Sequence, residues 1–166
     1  MWFRLLAGLL CFMAAAVPAC GTAAAQDFRS GLSAYNSGDY TRAFSDWLGL
    51  AERGDPAAEA GIGFLLHKGL GVTQDDAEAA RWFRKAAERG HAVAQCYVSS
   101  RYYDGDEVPQ DYVQAYMWID LAASGSTGDD QKTYSSRRGA IAAKMTAQQI
   151  AEAQRLARER RLELGR

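Results

Sequence analysis

Cysteine, proline and histidine are scarce in this chain of 166 residues, at three, three and two. Three cysteines in a chain this long do not make a disulfide framework. Three prolines beside 16 glycines leave few fixed turns for a sandwich of short strands and favour helices stopped by glycine. A large excess of either charge is also missing, since 19 Lys and Arg stand against 20 Asp and Glu, a net of −1. Phosphate binding needs a basic footprint, so nucleic acid is not the expected partner. Near-neutral charge with 48% hydrophobic residues excludes a disordered charged tail and fits one modest domain with its own core. Long apolar runs are confined to the first 25 residues, which excludes a multi-pass membrane protein.

That first stretch has the order of a targeting signal. Arg4 precedes an almost wholly apolar run, Leu5 to Val17, which Pro18 ends. Ala23, Ala24 and Ala25 put small residues at both positions a signal peptidase reads. Residues 1–25 therefore read as a signal peptide cut before Gln26. The run is short for a transmembrane span. Two alternatives stay open. Val17-Pro18-Ala19-Cys20 is a degenerate lipobox, and lipidation at Cys20 would anchor the chain to a membrane; the same stretch could instead be a buried N-terminal helix. Cleavage before Gln26 leaves Cys96 as the only cysteine, so a periplasmic or secreted product would be held by packing alone.

The remainder repeats itself. Ala51-Glu52-Arg53-Gly54 returns as Ala87-Glu88-Arg89-Gly90, 36 residues on. At the same offset Ala58 meets Ala94, Gly69 meets Gly105, Val72 meets Val108, Gln74 meets Gln110 and Asp75 meets Asp111. Trp82 and Trp118 share the spacing, and Trp47 falls at the place of Phe83. Each unit reads as a helical hairpin. The first helix spans 57–67 and again 92–103; the glycine at 69 or 105 stops it. A loop with an inward-pointing valine follows, and Asp75 or Asp111 caps a second helix over 76–88 or 112–123. No hairpin buries its apolar face alone, so stacked hairpins are expected, with Trp47, Trp82 and Trp118 packing one on the next and Trp47, Phe83 and Trp118 in like places.

The run Ala79 to Gly90, with Trp82-Phe83-Arg84-Lys85-Ala86-Ala87 at its centre, resembles the Sel-one-like repeat (SLR) family. So do Val108-Pro109-Gln110-Asp111-Tyr112 and Ala115-Tyr116-Met117-Trp118. Gly31, Gly38, Tyr40, Ala43 and Trp47 resemble an ordinary tetratricopeptide repeat. Lys144-Met145-Thr146 and Ile150 to Gln154 resemble the close of such proteins. The resemblance implies an all-α fold, an α/α superhelical solenoid of about three tetratricopeptide/Sel-one-like hairpins plus C-terminal capping helices. The division expected is signal peptide 1–25, solenoid 26–128 and cap 129–166. In such stacks the first helix of each hairpin lines a concave face, which implies a partner-binding groove of Phe28, Leu32 and Tyr35, then Ala60, Phe64, His67 and Lys68, then Cys96, Ser100, Tyr103 and Asp104. Whether residues such as Leu32 and Phe64 line that groove or pack between hairpins stays open.

Charge divides along the chain. Residues 26–130 hold 9 Lys and Arg against 17 Asp and Glu, a net of −8, whereas 131–166 hold 9 against 3, a net of +6. Two helices are expected there, over 129–143 and 147–163, the second opened by a capping box of Thr146 and Gln149 and striped by Ile150, Ala153, Leu156, Ala157 and Leu164. Arg155, Arg158, Arg160 and Arg161 are either solvated residues of a cap or a basic patch for an acidic partner or an anionic membrane.

Catalytic patterns are lacking. His67 and His91 are lone and expected at the surface or in loops, and no phosphate loop, Gly-x-Ser-x-Gly or Ser-x-x-Lys occurs. Asp75-Asp76 and Asp129-Asp130 sit where helices begin, as caps do. Cys96 is expected as a small helix residue, buried or facing the groove. The expectation is a protein that binds another protein or peptide of the cell envelope and needs no metal or cofactor. The other classes weighed are a β-lactamase-like enzyme, as described for cysteine-rich relatives whose cysteine pairs this chain lacks, and an envelope docking module acting through the basic tail.

Overall fold

The structure is a computed structural model that describes residues 20–106 and 108–165, with side chains from Phe28 onward. Most of the expected signal segment lies outside the described residues. Among those described there are eight helices: α1 Cys20–Asn36, α2 Tyr40–Glu52, α3 Pro56–Lys68, α4 Asp76–Glu88, α5 Ala92–Asp104, α6 Tyr112–Ser124, α7 Gly128–Ala142 and α8 Ala147–Leu164. α1 runs through the cleavage point expected before Gln26.

The 36-residue period governs more of the chain than the matching residues do. First helices begin at residues 56, 92 and 128, and second helices at 40, 76, 112 and 147. Caps fix these starts. The Asp55 carboxylate accepts from Ala58 N at 2.8 Å, Asp75 from Glu78 N at 2.9 Å and Asp111 from Val113 and Gln114 N at 2.9 and 3.0 Å, satisfying amides the helix leaves orphaned. Thr146 and Gln149 form the expected capping box. His91 sits in the loop before α5, one of the two places expected for it; its Nδ1 accepts from Ala94 N at 3.4 Å as the cap of α5, and burial holds its pKa below the ordinary value. Gly69 and Gly105 end α3 and α5 with left-handed φ of 63° and 74°.

Consecutive helices pack on each other from α1 to α7. The Trp47 indole is seated by two glycines, because a Cβ on Gly31 would lie 2.4 Å from its Nε1 and one on Gly61 2.7 Å from its Cε3. One period later Phe83, a smaller ring, meets Tyr97 in place of Gly61, and the two stack with centroids 4.0 Å apart. Large against small becomes medium against medium, and the interior stays filled. The third like place belongs to Ile119, not Trp118; Trp47, Phe83 and Ile119 are all buried. Trp118 lies one residue earlier and is 1% exposed. Its counterpart Trp82 is only half-buried, with Lys85 Nζ 4.1 Å above its ring.

That difference has a cause in the last two helices. α8 packs on α6 instead of mainly on α7, so α6 is covered on successive sides by α5, α7 and α8. Every residue from Ala115 to Ala123 is buried as a result. The terminal pair is thus in register with the hairpins yet splayed around α6 as a cap.

Candidate partner-binding site

Cys96, Ser100 and Tyr103 recur at helical spacing and lie on one face of α5. Across from Ser100 and Tyr103 stand Arg137, Ala140 and Ile141 of α7, and the two helices enclose a cleft of about 290 Å³. Ser99, beneath it, donates to Ala115 O at 2.7 Å and locks α5 to α6. Arg137 Nη1 lies 3.2 Å from Cys96 Sγ and 3.5 Å from Ser100 Oγ; its partners are neutral. Lys144 Nζ stands 4.6 Å from the Tyr103 ring centre and 5.7 Å from that of Tyr112, and Tyr103 raises its pKa. Burial pushes the Cys96 thiol above its ordinary value, against the pull of Arg137, so the thiol is not poised as a thiolate nucleophile. The arrangement offers an apolar wall, hydroxyls and two cations, which suits a peptide that presents a carboxylate.

The expected groove residues separate into groups. Phe28 stacks on Trp47 at 5.6 Å, Tyr35 on Trp47 at 6.0 Å, and Tyr35 meets Phe64 edge-on at 6.1 Å. Beside them Leu32 and Phe64 are 42% and 37% exposed. His67 turns toward α4, its Nδ1 2.7 Å from Asp76 Oδ1. Lys68 and Asp104 are exposed, while Ala60 is buried in the stack and offers no surface. Arg137 and Ala140 went unnoticed in the sequence, because α7 lacks the repeat's hallmark residues; the period of 36 counted on from α5 would have found its start.

The basic tail is largely compensated. Arg155 pairs with Glu152 and Glu159 at 2.6 Å each, and Arg160 with Glu163 at 3.3 Å. Arg161 reaches inward to Asp120 at 2.9 Å. Arg158 is exposed, as Arg155 is. Among the described residues no helix is long and apolar enough to cross a membrane.

The Sel1 repeat family matches residues 56–91 and 92–126. The chain superposes on a protective antigen of uropathogenic Escherichia coli that displays an SLR fold, with 31% identity and a TM-score of 0.71 over 82% of this chain and 29% of that one. It also superposes on a Sel1 repeat protein from Oxalobacter formigenes, with 28% identity and a TM-score of 0.57 over 69% of this chain and 48% of that one. The chain therefore spans less than half the length of either protein. No curated protein matches it. Two Sel1 repeats on an SLR solenoid are in general a scaffold for protein–protein interaction.

Proposed function

We propose that this chain, which belongs to the Sel1-like repeat proteins, is exported to the cell envelope and there binds a segment of another protein without catalysing a reaction. The observation that carries the binding is the cleft between α5 and α7, where the Arg137 guanidinium meets only a thiol and a hydroxyl. A guanidinium beside apolar walls gains most from a carboxylate brought by a ligand. The apolar run before Ala23-Ala24-Ala25 supports export to the periplasm or beyond. An enzyme reading has less behind it, since burial raises the Cys96 thiol beside the cleft above its ordinary value and no Gly-x-Ser-x-Gly or Ser-x-x-Lys pattern surrounds its serines. A docking role for the tail has less as well, since three of its four named arginines face carboxylates of the same chain.

Crosslinking in the native envelope, with mass spectrometry of what is attached, tests the proposal. One partner should be captured by the unaltered protein and lost in both Arg137→Gln and Tyr103→Ala. Equal capture by both variants would remove this cleft as the site. Absence of the protein from the envelope fraction would remove the exported role.

A further inference from the structure

We propose that the cleft between α4 and α5 is a second docking site, which takes an acidic peptide segment carrying an apolar residue. Its rim holds four cations, Arg81, Arg84 and Lys85 from α4 and Arg101 from α5, and its volume is about 380 Å³. The floor between them is apolar, built by Ala80, Val98 and Val108. This concentration of positive charge lies in the acidic part of the chain, where residues 26–130 carry a net of −8. None of the residues lining it lines the cleft between α5 and α7.

Two of the four cations already have carboxylates of their own, Arg81 with Glu78 and Arg101 with Asp106. The other two rest on aromatic faces. Arg84 donates to the Tyr102 hydroxyl at 3.2 Å and lies 5.5 Å from the Tyr102 ring centre and 5.9 Å from that of Trp118. Lys85 lies 4.1 Å from the Trp82 ring. Aromatic support holds long side chains in one place, which lowers the entropy lost when an anion arrives, although Lys85 also acts on the buried Glu59 carboxylate.

The repeat shows what is missing. One period on from Arg84 and Tyr102 stand Asp120 and Arg138, joined at 2.6 Å. Asp120 also receives Arg161 from α8, at 2.9 Å. In the third hairpin, then, this face carries an acid, and the cap brings the complementary cations. In the second hairpin the polarity is reversed, and among the described residues Arg84 has no carboxylate pair of the kind Asp120 makes with Arg161. An acidic group brought by a ligand supplies that complement. Rim and floor together set its chemistry. An inorganic anion would answer the cations and leave the floor wet, whereas an apolar peptide would fill the floor and desolvate the guanidiniums without pairing them. An acidic segment with one aliphatic side chain satisfies both.

Nuclear magnetic resonance titration of the full chain tests this, with the probe acetyl-Glu-Asp-Leu-Asp-Glu-amide. Two controls replace its leucine by glycine, or its acids by their amides. Saturable shifts are expected at the Val98 and Val108 methyls and the Trp82 indole. Affinity should fall about tenfold in the double variant Arg81→Gln/Lys85→Gln, whose two side chains are exposed, and with either control peptide. Arg137→Gln should leave it unchanged, which separates this site from the first cleft. Absence of shifts in this cleft, or equal binding by the double variant, would overturn the site. Phosphatidylglycerol vesicles that bind through Arg81 and Lys85 while the peptide does not would assign the face to a membrane. Self-association lost in the double variant would assign it to a second copy of the chain. Either result overturns the peptide assignment.

Discussion

Arg161 Nη1 donates to Asp120 Oδ2 at 2.9 Å across 41 residues of chain. Arg138, from α7, takes the other oxygen at 2.6 Å. Asp120 is only 8% exposed, inside the stretch of α6 that is buried from Ala115 to Ala123, and a carboxylate so placed is tolerated because two guanidiniums answer it. One side chain thereby clasps both terminal helices, although those helices pack little on each other.

Asp120→Asn is expected to lower the free energy of unfolding by about 2 kcal/mol, since it leaves two partly buried guanidiniums without an anion. Urea denaturation reads the total. Hydrogen exchange reads the place, and α7 and α8 should lose protection before α2 does. Arg161→Gln combined with Asp120→Asn should cost less than the two single changes added together. Additive losses would show that the pair is not what holds α8.

Gly61 and Gly139 are both helical glycines, and the same substitution should have opposite signs at the two. A Cβ at Gly61 would lie 2.7 Å from the Trp47 indole, whereas one at Gly139 meets nothing within 4 Å. Gly139→Ala is expected to stabilise by about 0.5–1 kcal/mol through backbone entropy alone. Gly61→Ala should destabilise by about 1–3 kcal/mol, because Trp47 must shift in a filled core. Thermal midpoints decide, and near-ultraviolet circular dichroism should report the moved indole only at Gly61.

Local chemistry was legible in the sequence and long-range pairing was not. Asp75, Asp111 and Thr146 announce helix starts within three residues of the amides they bond, so a short window suffices to see them. The offset of 36 placed four of the helices to within a residue. Asp120 gave no such signal, because its partners lie 18 and 41 residues away and it sits among apolar neighbours. The cleft was half visible for the same reason: Ser100 and Tyr103 belong to a repeating helix, but Arg137 belongs to α7, whose residues no longer match the repeat. Trp118 was misplaced by one position because tryptophan is conspicuous and Ile119 is not.

Glu59 carries a pH dependence that its own repeat shows how to remove. It is 1% exposed; its Oε1 accepts from Arg89 Nε at 3.2 Å, while its Oε2 has no partner. Burial raises its carboxyl above the ordinary value, although Arg89 and Lys85 oppose this. A raised acid favours the protonated form, so the fold carries no handicap below the ordinary carboxylate range and an increasing one as pH rises through the raised value. One period on, Gln95 occupies the same place and donates to Ala87 O at 3.2 Å. Glu59→Gln should therefore raise the unfolding midpoint at pH 7, with the gain shrinking as the solution is acidified. A gain that is flat with pH would show that packing, not charge, was responsible.

Cys96 reports directly on the guanidinium over it. Burial pushes the thiol up and Arg137, 3.2 Å from the sulfur, pulls it down. With Cys11 and Cys20 replaced by serine, alkylation by iodoacetamide follows this thiol alone. The midpoint of its pH–rate profile should lie above that of free cysteine, since only the thiolate reacts. Arg137→Gln has two effects of opposite sense: it uncovers the sulfur and removes the charge that favours the thiolate. A single rate would confound them, whereas the profile separates them. Its plateau should rise as access improves, and its midpoint should move further up. A midpoint that stays in place would mean that Arg137 and Cys96 do not meet in solution, and the guanidinium at the mouth of the cleft would then be free to point elsewhere.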